Sequence, residues 1–195
     1  FYEPCGDTAS CRPLLIAIHG GAWAGGDKSD LAVFGDFFAK KGYAVASINY
    51  RLSIPNNPLC FDVDADSIRM LRAAFRAIQD AKAAVRFFRA HAAEYRIDPE
   101  NIFAVGVSAG AFTALGVGYL NDPDERPGVC AARPELGNWF NNLYFPDMGS
   151  IEGDGGNPAF SSSVRAVVNL SGALFDLDWL DGAGDPPLCS FHGTA

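Results

Sequence analysis

The 195-residue chain is 49% apolar and 19% charged, which excludes a disordered polymer and suits one domain with a proper core. Its formal charge of -8 argues against a nucleic-acid partner, and no apolar run approaches the ~18 residues that a membrane-spanning helix needs. The chain opens at Phe1 with no charged-then-apolar leader, which fits a removed signal peptide or an upstream segment. Five cysteines lean towards an oxidising compartment and a secreted protein. Cys5 and Cys11 flank a five-residue polar loop that a small disulfide would close. Cys60 and Cys130 are candidates for a second pair, with Cys189 left as a free thiol in a buried strand. Five unpaired small hydrophobes account for the same cysteines equally well.

Apolar runs at residues 14–18, 44–48, 102–107, 164–170 and 188–192 alternate with helical patterns. That alternation predicts an α/β fold with a doubly wound, mostly parallel sheet, whose strands are apolar throughout because both faces are covered. Ser29 suits the cap of a first helix with Leu31, Phe34 and Phe38 on one face, and Lys40, Lys41 and Gly42 suit its end. From Asp66 onward, Ile68, Leu71, Phe75, Ile78, Val85 and Phe88 recur at three- and four-residue steps, with one wider gap. Arg69, Arg72, Arg76 and Lys82 are expected largely on the wet side of that helix, and Asp98-Pro99 ends the segment. A small-residue helix follows over residues 109–119 and stops at Asn121-Asp122-Pro123. Residues 121–163 are rich in Gly, Pro, Asn and Asp, with Trp139, Phe140, Tyr144 and Phe145 interspersed. A loop of that length and character is expected as a cap over a pocket within the one domain. Asn169-Leu170-Ser171 matches the glycosylation pattern, but it ends an apolar run that should be buried.

Two short motifs carry chemistry. HGGAW, His19 to Trp23, follows the first strand, and GVSAG, Gly106 to Gly110, joins the third strand to the small-residue helix. A Gly-x-Ser-x-Gly between strand and helix forces a sharp turn that exposes the serine, making Ser108 the candidate nucleophile. The backbone N–H groups of Gly21, Ala22 and Ala109 are the candidate oxyanion hole. His19 precedes that turn and is read as structural, and Trp23 as packing. The glycines do not form a dinucleotide motif, because Ser108 stands where a second glycine is required. The chemistry calls for no metal and no cofactor.

A serine needs an imidazole oriented by a carboxylate to remove its proton. His19 lies in the oxyanion turn, His91 near the end of the long helix and His192 at the end of the last strand. The general base is therefore expected outside this chain. Asp176 and Asp178 are secondary acid candidates, with Asp181 and Asp185 close behind, and all four read better as loop and helix-cap carboxylates.

HGGAW with GGDKS after it, INYRL at residues 48–52, DAKAAVRFFRAHAAEYRIDPENI at residues 80–102, GVSAGAF and SFHGTA together resemble the α/β-hydrolase superfamily. Within it they are most similar to the carboxylesterase and lipase group with an HGG oxyanion motif. The resemblance implies hydrolysis of a small-molecule carboxylic ester through an acyl-enzyme on Ser108. It also implies that the chain is a fragment lacking both ends, with the catalytic aspartate just past Ala195 and the tail of an early strand at Phe1-Tyr2. Ala22 stands for the third glycine of an HGGG motif, a change expected to be harmless. The alternatives are a non-catalytic binding protein of this fold, which has no reason to keep the serine turn, and a serine peptidase.

Overall fold

The computed structural model describes residues 1–6, 8–53, 63–132, 145–182 and 184–193. Cys60, Trp139, Phe140, Tyr144, Thr194 and Ala195 lie outside them, so the Cys60–Cys130 pair is not described. Five strands form one sheet in the order β2-β1-β3-β4-β5. They are β1 (Arg12–Ile18), β2 (Ala44–Ile48), β3 (Ile97–Val107), β4 (Ala166–Leu170) and β5 (Leu188–Phe191). Every pairing between them is parallel. Tyr2 adds a single antiparallel bridge to Val45 at the β2 edge.

Three helices connect the strands: α1 (Ala32–Ala39), α2 (Val63–Ala90) and α3 (Ala109–Tyr119). The side chains of β1 alternate between the two faces. Leu14, Ile16 and Ile18 pack with residues of α2 and α3, including Phe75, Ile78 and Leu115. Leu15 and Ala17 join Val45 and Val105 under Phe34 and Phe38 of α1. Each fully buried Leu or Ile of this core contributes about 2 kcal/mol. The winding reverses at β1, which lies between β2 and β3. That places a crevice at the carboxyl ends of β1 and β3.

α3 is apolar all round because it is buried all round. Its small residues let it press into its neighbours. A Cβ at Gly110 would enter the Ile18 carbonyl at the end of β1, and one at Gly116 would enter Ile78 of α2. The helix runs over the residues that the sequence indicates.

Several expectations are corrected. Asp27 caps the 3-10 turn Lys28–Leu31 that leads into α1, and its carboxylate accepts the Ser29 N–H at 2.9 Å, so Ser29 is inside the turn. Asp98-Pro99 lies inside β3, where Arg12 pairs with Ile97 across a register shift. β5 is the edge strand and all four of its residues are exposed, so Cys189 is exposed too. Cys5 and Cys11 are free thiols, so the expected small disulfide across that loop is not formed. Cys130 is a buried free thiol whose pKa burial raises to about 11.

The largest correction concerns α2. Arg72 and Lys82 are buried, as is Arg86, and Arg69 and Arg76 are half-buried. Their partners are remote in sequence. Arg72 donates to the carbonyls of Val129 and Ala131 at 2.7 and 3.1 Å and also to that of Pro146. Lys82 donates to Leu120 O at 2.7 Å and to Glu152 at 2.9 Å, and Arg86 donates to the other Glu152 oxygen at 2.5 Å. Gln79 holds the carbonyls of Met148 and Ser150. Residues 145–163 are thus strapped along α2.

Burial raises the Glu152 carboxyl, but Lys82, Ser162 and Arg86 together outweigh it and hold it below its ordinary value. Glu152→Gln leaves two buried cations short of a counter-charge. It is expected to cost about 1–3 kcal/mol by urea denaturation, less than a fully buried pair because the Glu152 side chain is 43% exposed. A depressed carboxyl stabilises fully above its unfolded value of ~4.3 and less as pH falls through the folded value. The difference between wild type and variant should therefore shrink below that pH.

Candidate active site

β3 ends at Val107 and α3 begins at Ala109, so one residue makes the whole turn. That residue is Ser108, with φ 53° and ψ -124°. Such a conformation costs a non-glycine residue on the order of 1–3 kcal/mol. Short-range contacts enforce it. A Cβ at Gly106 would enter the Gly110 carbonyl, and Ser108 N–H donates to Leu170 O of β4 at 2.9 Å. Ser108 is exposed, its side chain makes no capping bond, and Oγ has no hydrogen-bond partner among the described residues.

The turn after β1 comes up against it. A Cβ built on Gly20 would stand 3.3 Å from Ser108 Cβ and 3.1 Å from Val107 O. Gly21, Ala22 and Trp23 follow with φ of 111°, 53° and 56°, three left-handed residues in a row. Ala22 thus carries backbone strain that a glycine would avoid, so replacing the third glycine is not free of cost.

His19 is buried beneath this turn and stacks on Tyr50, with ring centroids 4.4 Å apart. Its Nδ1 donates to Gly20 O at 2.7 Å. The Tyr50 hydroxyl donates to His19 O at 3.0 Å and to Gly20 O at 3.3 Å. Burial pushes the Tyr50 phenol up to about 12, so it remains a donor at any working pH. Across a trans peptide, C=O and N–H point opposite ways. With Gly20 O held by His19 and Tyr50, the Gly21 N–H points away from that buried pair. Among the described residues, the backbone N–H groups of Gly21 and Ala22 donate to nothing. Ala109, as the first residue of α3, has an N–H without an intrahelical partner. Three N–H groups without a partner among the described residues thus lie within two residues, in sequence, of the Gly20–Ser108 contact.

Trp23 is buried as expected, against Phe112 and Phe175 at 6.0 and 5.9 Å. Tyr50, which holds this turn from below, is the residue that reading the motifs one at a time misses. The motifs that surround it form one web. Lys28 N–H donates to Asn49 Oδ1 at 2.6 Å, Asn49 Nδ2 donates to Asp27 at 3.0 Å, and Arg51 grips Asp80 of α2 at 2.6 Å. Ser29 and Asn49 hold the Asp27 carboxyl well below the usual range.

The other candidates lie elsewhere. His91 Nδ1 contacts Phe87 O within the end of α2, and His192 lies beside the Asn169 amide at 3.2 Å. No imidazole is hydrogen-bonded to Ser108 among the described residues. Asp176 caps the 3-10 turn Leu177–Trp179 by accepting the Asp178 N–H, and both carboxylates are exposed. Asn169 is buried and bonded to Gly172 and Ser190, so its amide is not presented to solvent. The described parts of residues 121–163 lie along α2 and at the far end of α3 from Ser108. No cluster of potential metal ligands occurs among the described residues.

A doubly wound parallel sheet with a strained serine at the strand–helix turn is the architecture of an α/β-hydrolase of the carboxylesterase type. The BD-FAE family model matches residues 1–185, and the chain belongs to that family. Over 124 residues it is 34% identical to the probable carboxylic ester hydrolase LipM of Mycobacterium tuberculosis, covering 63% of this chain and 25% of LipM. Over 108 residues it is 32% identical to a probable isoprenylcysteine alpha-carbonyl methylesterase of Oryza sativa subsp. japonica, covering 55% of this chain and 22% of that protein. The chain thus spans about a quarter of the length of these curated relatives. Among solved structures, the Thermogutta terrifontis esterase 2 phosphorylated by paraoxon superposes on all of this chain and 64% of its own, with TM-score 0.65 at 21% identity. A bifunctional GH43-CE protein of Bacteroides eggerthii matches 87% of this chain and 18% of its own, with TM-score 0.58 at 32% identity.

Tyr50→Phe keeps the stack on His19 and removes the hydroxyl. Urea denaturation should show a loss of about 1–2 kcal/mol, the cost of leaving a buried carbonyl without its donor.

Proposed function

We propose that the protein is a serine-dependent carboxylic-ester hydrolase that works through an acyl-enzyme on Ser108. The observation that carries this reading is the exposed, unpartnered hydroxyl of a strained Ser108 packed against Gly20, with the unpartnered N–H groups of Gly21, Ala22 and Ala109 within two residues of that contact in sequence. A binding module gains nothing from keeping such strain, whereas a nucleophile does.

Ser108 Oγ adds to the acyl carbon of a small ester while its proton passes to a general base. The carbonyl electron pair moves onto oxygen, and the three N–H groups hold that oxyanion. The double bond re-forms, the alkoxide leaves and takes up a proton, and an alcohol departs. Water then adds to the acyl carbon of the Ser108 ester and releases the acid. Each donor contributes on the order of 3 kcal/mol to lowering the barrier.

The test is turnover of p-nitrophenyl acetate by the full-length protein that carries this chain. Ser108→Ala should lower kcat at least 1000-fold, on the order of the loss when a nucleophile is deleted. A p-nitrophenyl phosphonate ester should transfer its phosphonyl group to the wild type, releasing p-nitrophenol and adding the phosphonyl mass, and leave the variant unlabelled. Unchanged turnover in Ser108→Ala would sink the assignment.

A further inference from the structure

The proposed oxyanion donors stand on two separate elements: Gly21 and Ala22 in the turn after β1, Ala109 at the head of α3. An oxyanion is held only if their spacing is kept, since a misplacement of about 1 Å in a reacting geometry costs ~100-fold in rate. Among the described residues, one side-chain hydrogen bond joins the two elements. The Trp23 indole N–H donates to Thr113 Oγ1 at 3.1 Å, in a fully buried setting. Thr113 in turn donates its hydroxyl proton to Ala109 O at 2.9 Å. The relay therefore starts beside one donor residue, Ala22, and ends on another, Ala109.

Trp23 is under strain at its own backbone. Its φ of 56° is rare for a large side chain, and the preceding Ala22 shares the left-handed conformation at 53°. The Phe112 and Phe175 rings pack on the indole, and Trp23 O accepts the Ser53 N–H at 3.0 Å. Ring packing is tolerant of a rotation of the indole in its plane, but a 3.1 Å hydrogen bond is not. Removing that bond frees Trp23 to relax towards negative φ and carries the Ala22 N–H with it.

We infer that the Trp23–Thr113–Ala109 relay is a strut that sets the distance between the two halves of the oxyanion hole. Trp23 and Thr113 are positioning residues, a role that rests on the ester-hydrolase reading. A buried threonine hydroxyl at this place in a helix would otherwise serve only its own i-4 carbonyl.

Thr113→Val keeps the shape and removes the hydroxyl, Thr113→Ser keeps the hydroxyl, and Trp23→Phe keeps a ring without the N–H. In the full-length protein, Thr113→Val should lower kcat for p-nitrophenyl acetate ~10-fold or more with KM within about twofold, and Thr113→Ser should restore most of it. Trp23→Phe should match Thr113→Val, and the double variant should be no worse than either, because both remove one bond. Should Thr113→Val fail to fold, Trp23→Phe reads the same bond. The Ala22 and Ala109 amide NMR signals should move in Thr113→Val and stay in Thr113→Ser. Wild-type kcat in Thr113→Val, or equal losses in the Val and Ser variants, would overturn the strut. Unmoved amides would overturn it as well. If the amides move but wild type and Ser108→Ala turn over ester equally, the strut stands as geometry and the ester-hydrolase reading is what fails.

Discussion

The close approach of α3 to the ends of β1 and β3 is the constraint on which the rest of this structure depends. No side chain beyond hydrogen fits at Gly106 or Gly110, since a Cβ at either would enter a neighbouring backbone carbonyl. Because the backbones touch, the chain has a single residue in which to change direction. Because Ser108 makes that change alone, its hydroxyl is turned outward. Because the turn after β1 abuts the same point at Gly20, that turn and the exposed serine are two products of one packing event.

The fold was legible where local signals agreed. The small residues of α3 and the unbroken apolar run of β1 each leave one sensible structure, and the motifs at Gly106–Gly110 punctuate them. Legibility failed where burial is decided by remote partners. Nothing near Lys82 in sequence announces that Glu152, 70 residues on, would bury it. A helix surface of Arg and Lys looks wet until the strap that covers it is known. Cys189 failed in the opposite sense, since an apolar run reads as buried although β5 is an edge. Asp98-Pro99 looked like a stop because β3 had not been seen to add a short pairing with Arg12 before its main ladder.

In the candidate site, the exposed serine turn and the close turn beside it were readable because each lies within a five-residue motif. Tyr50 was not, because its role exists only when β2 ends beside β1 and lays the ring under His19. Its one signal was a tyrosine directly after the second apolar run. Likewise Trp23 was legible as a packed ring, while its bond to Thr113, 90 residues away, was not. Packing partners follow from hydrophobicity, whereas hydrogen-bond partners follow from topology.

The two-faced character of β1 has a consequence for how this region tolerates change. Leu14, Ile16 and Ile18 face one layer, Leu15 and Ala17 the other, and all five are buried. Deleting one residue from this strand would exchange the two sets, and hydrophobic side chains would still fill both layers. The core would register such a slip only as imperfect packing. The loop downstream would be dragged about 3.3 Å, the rise of one strand residue, carrying Gly20 off Ser108. The interior is therefore a poor proofreader of alignment here, and selection on this strand's length falls to the chemistry at its end.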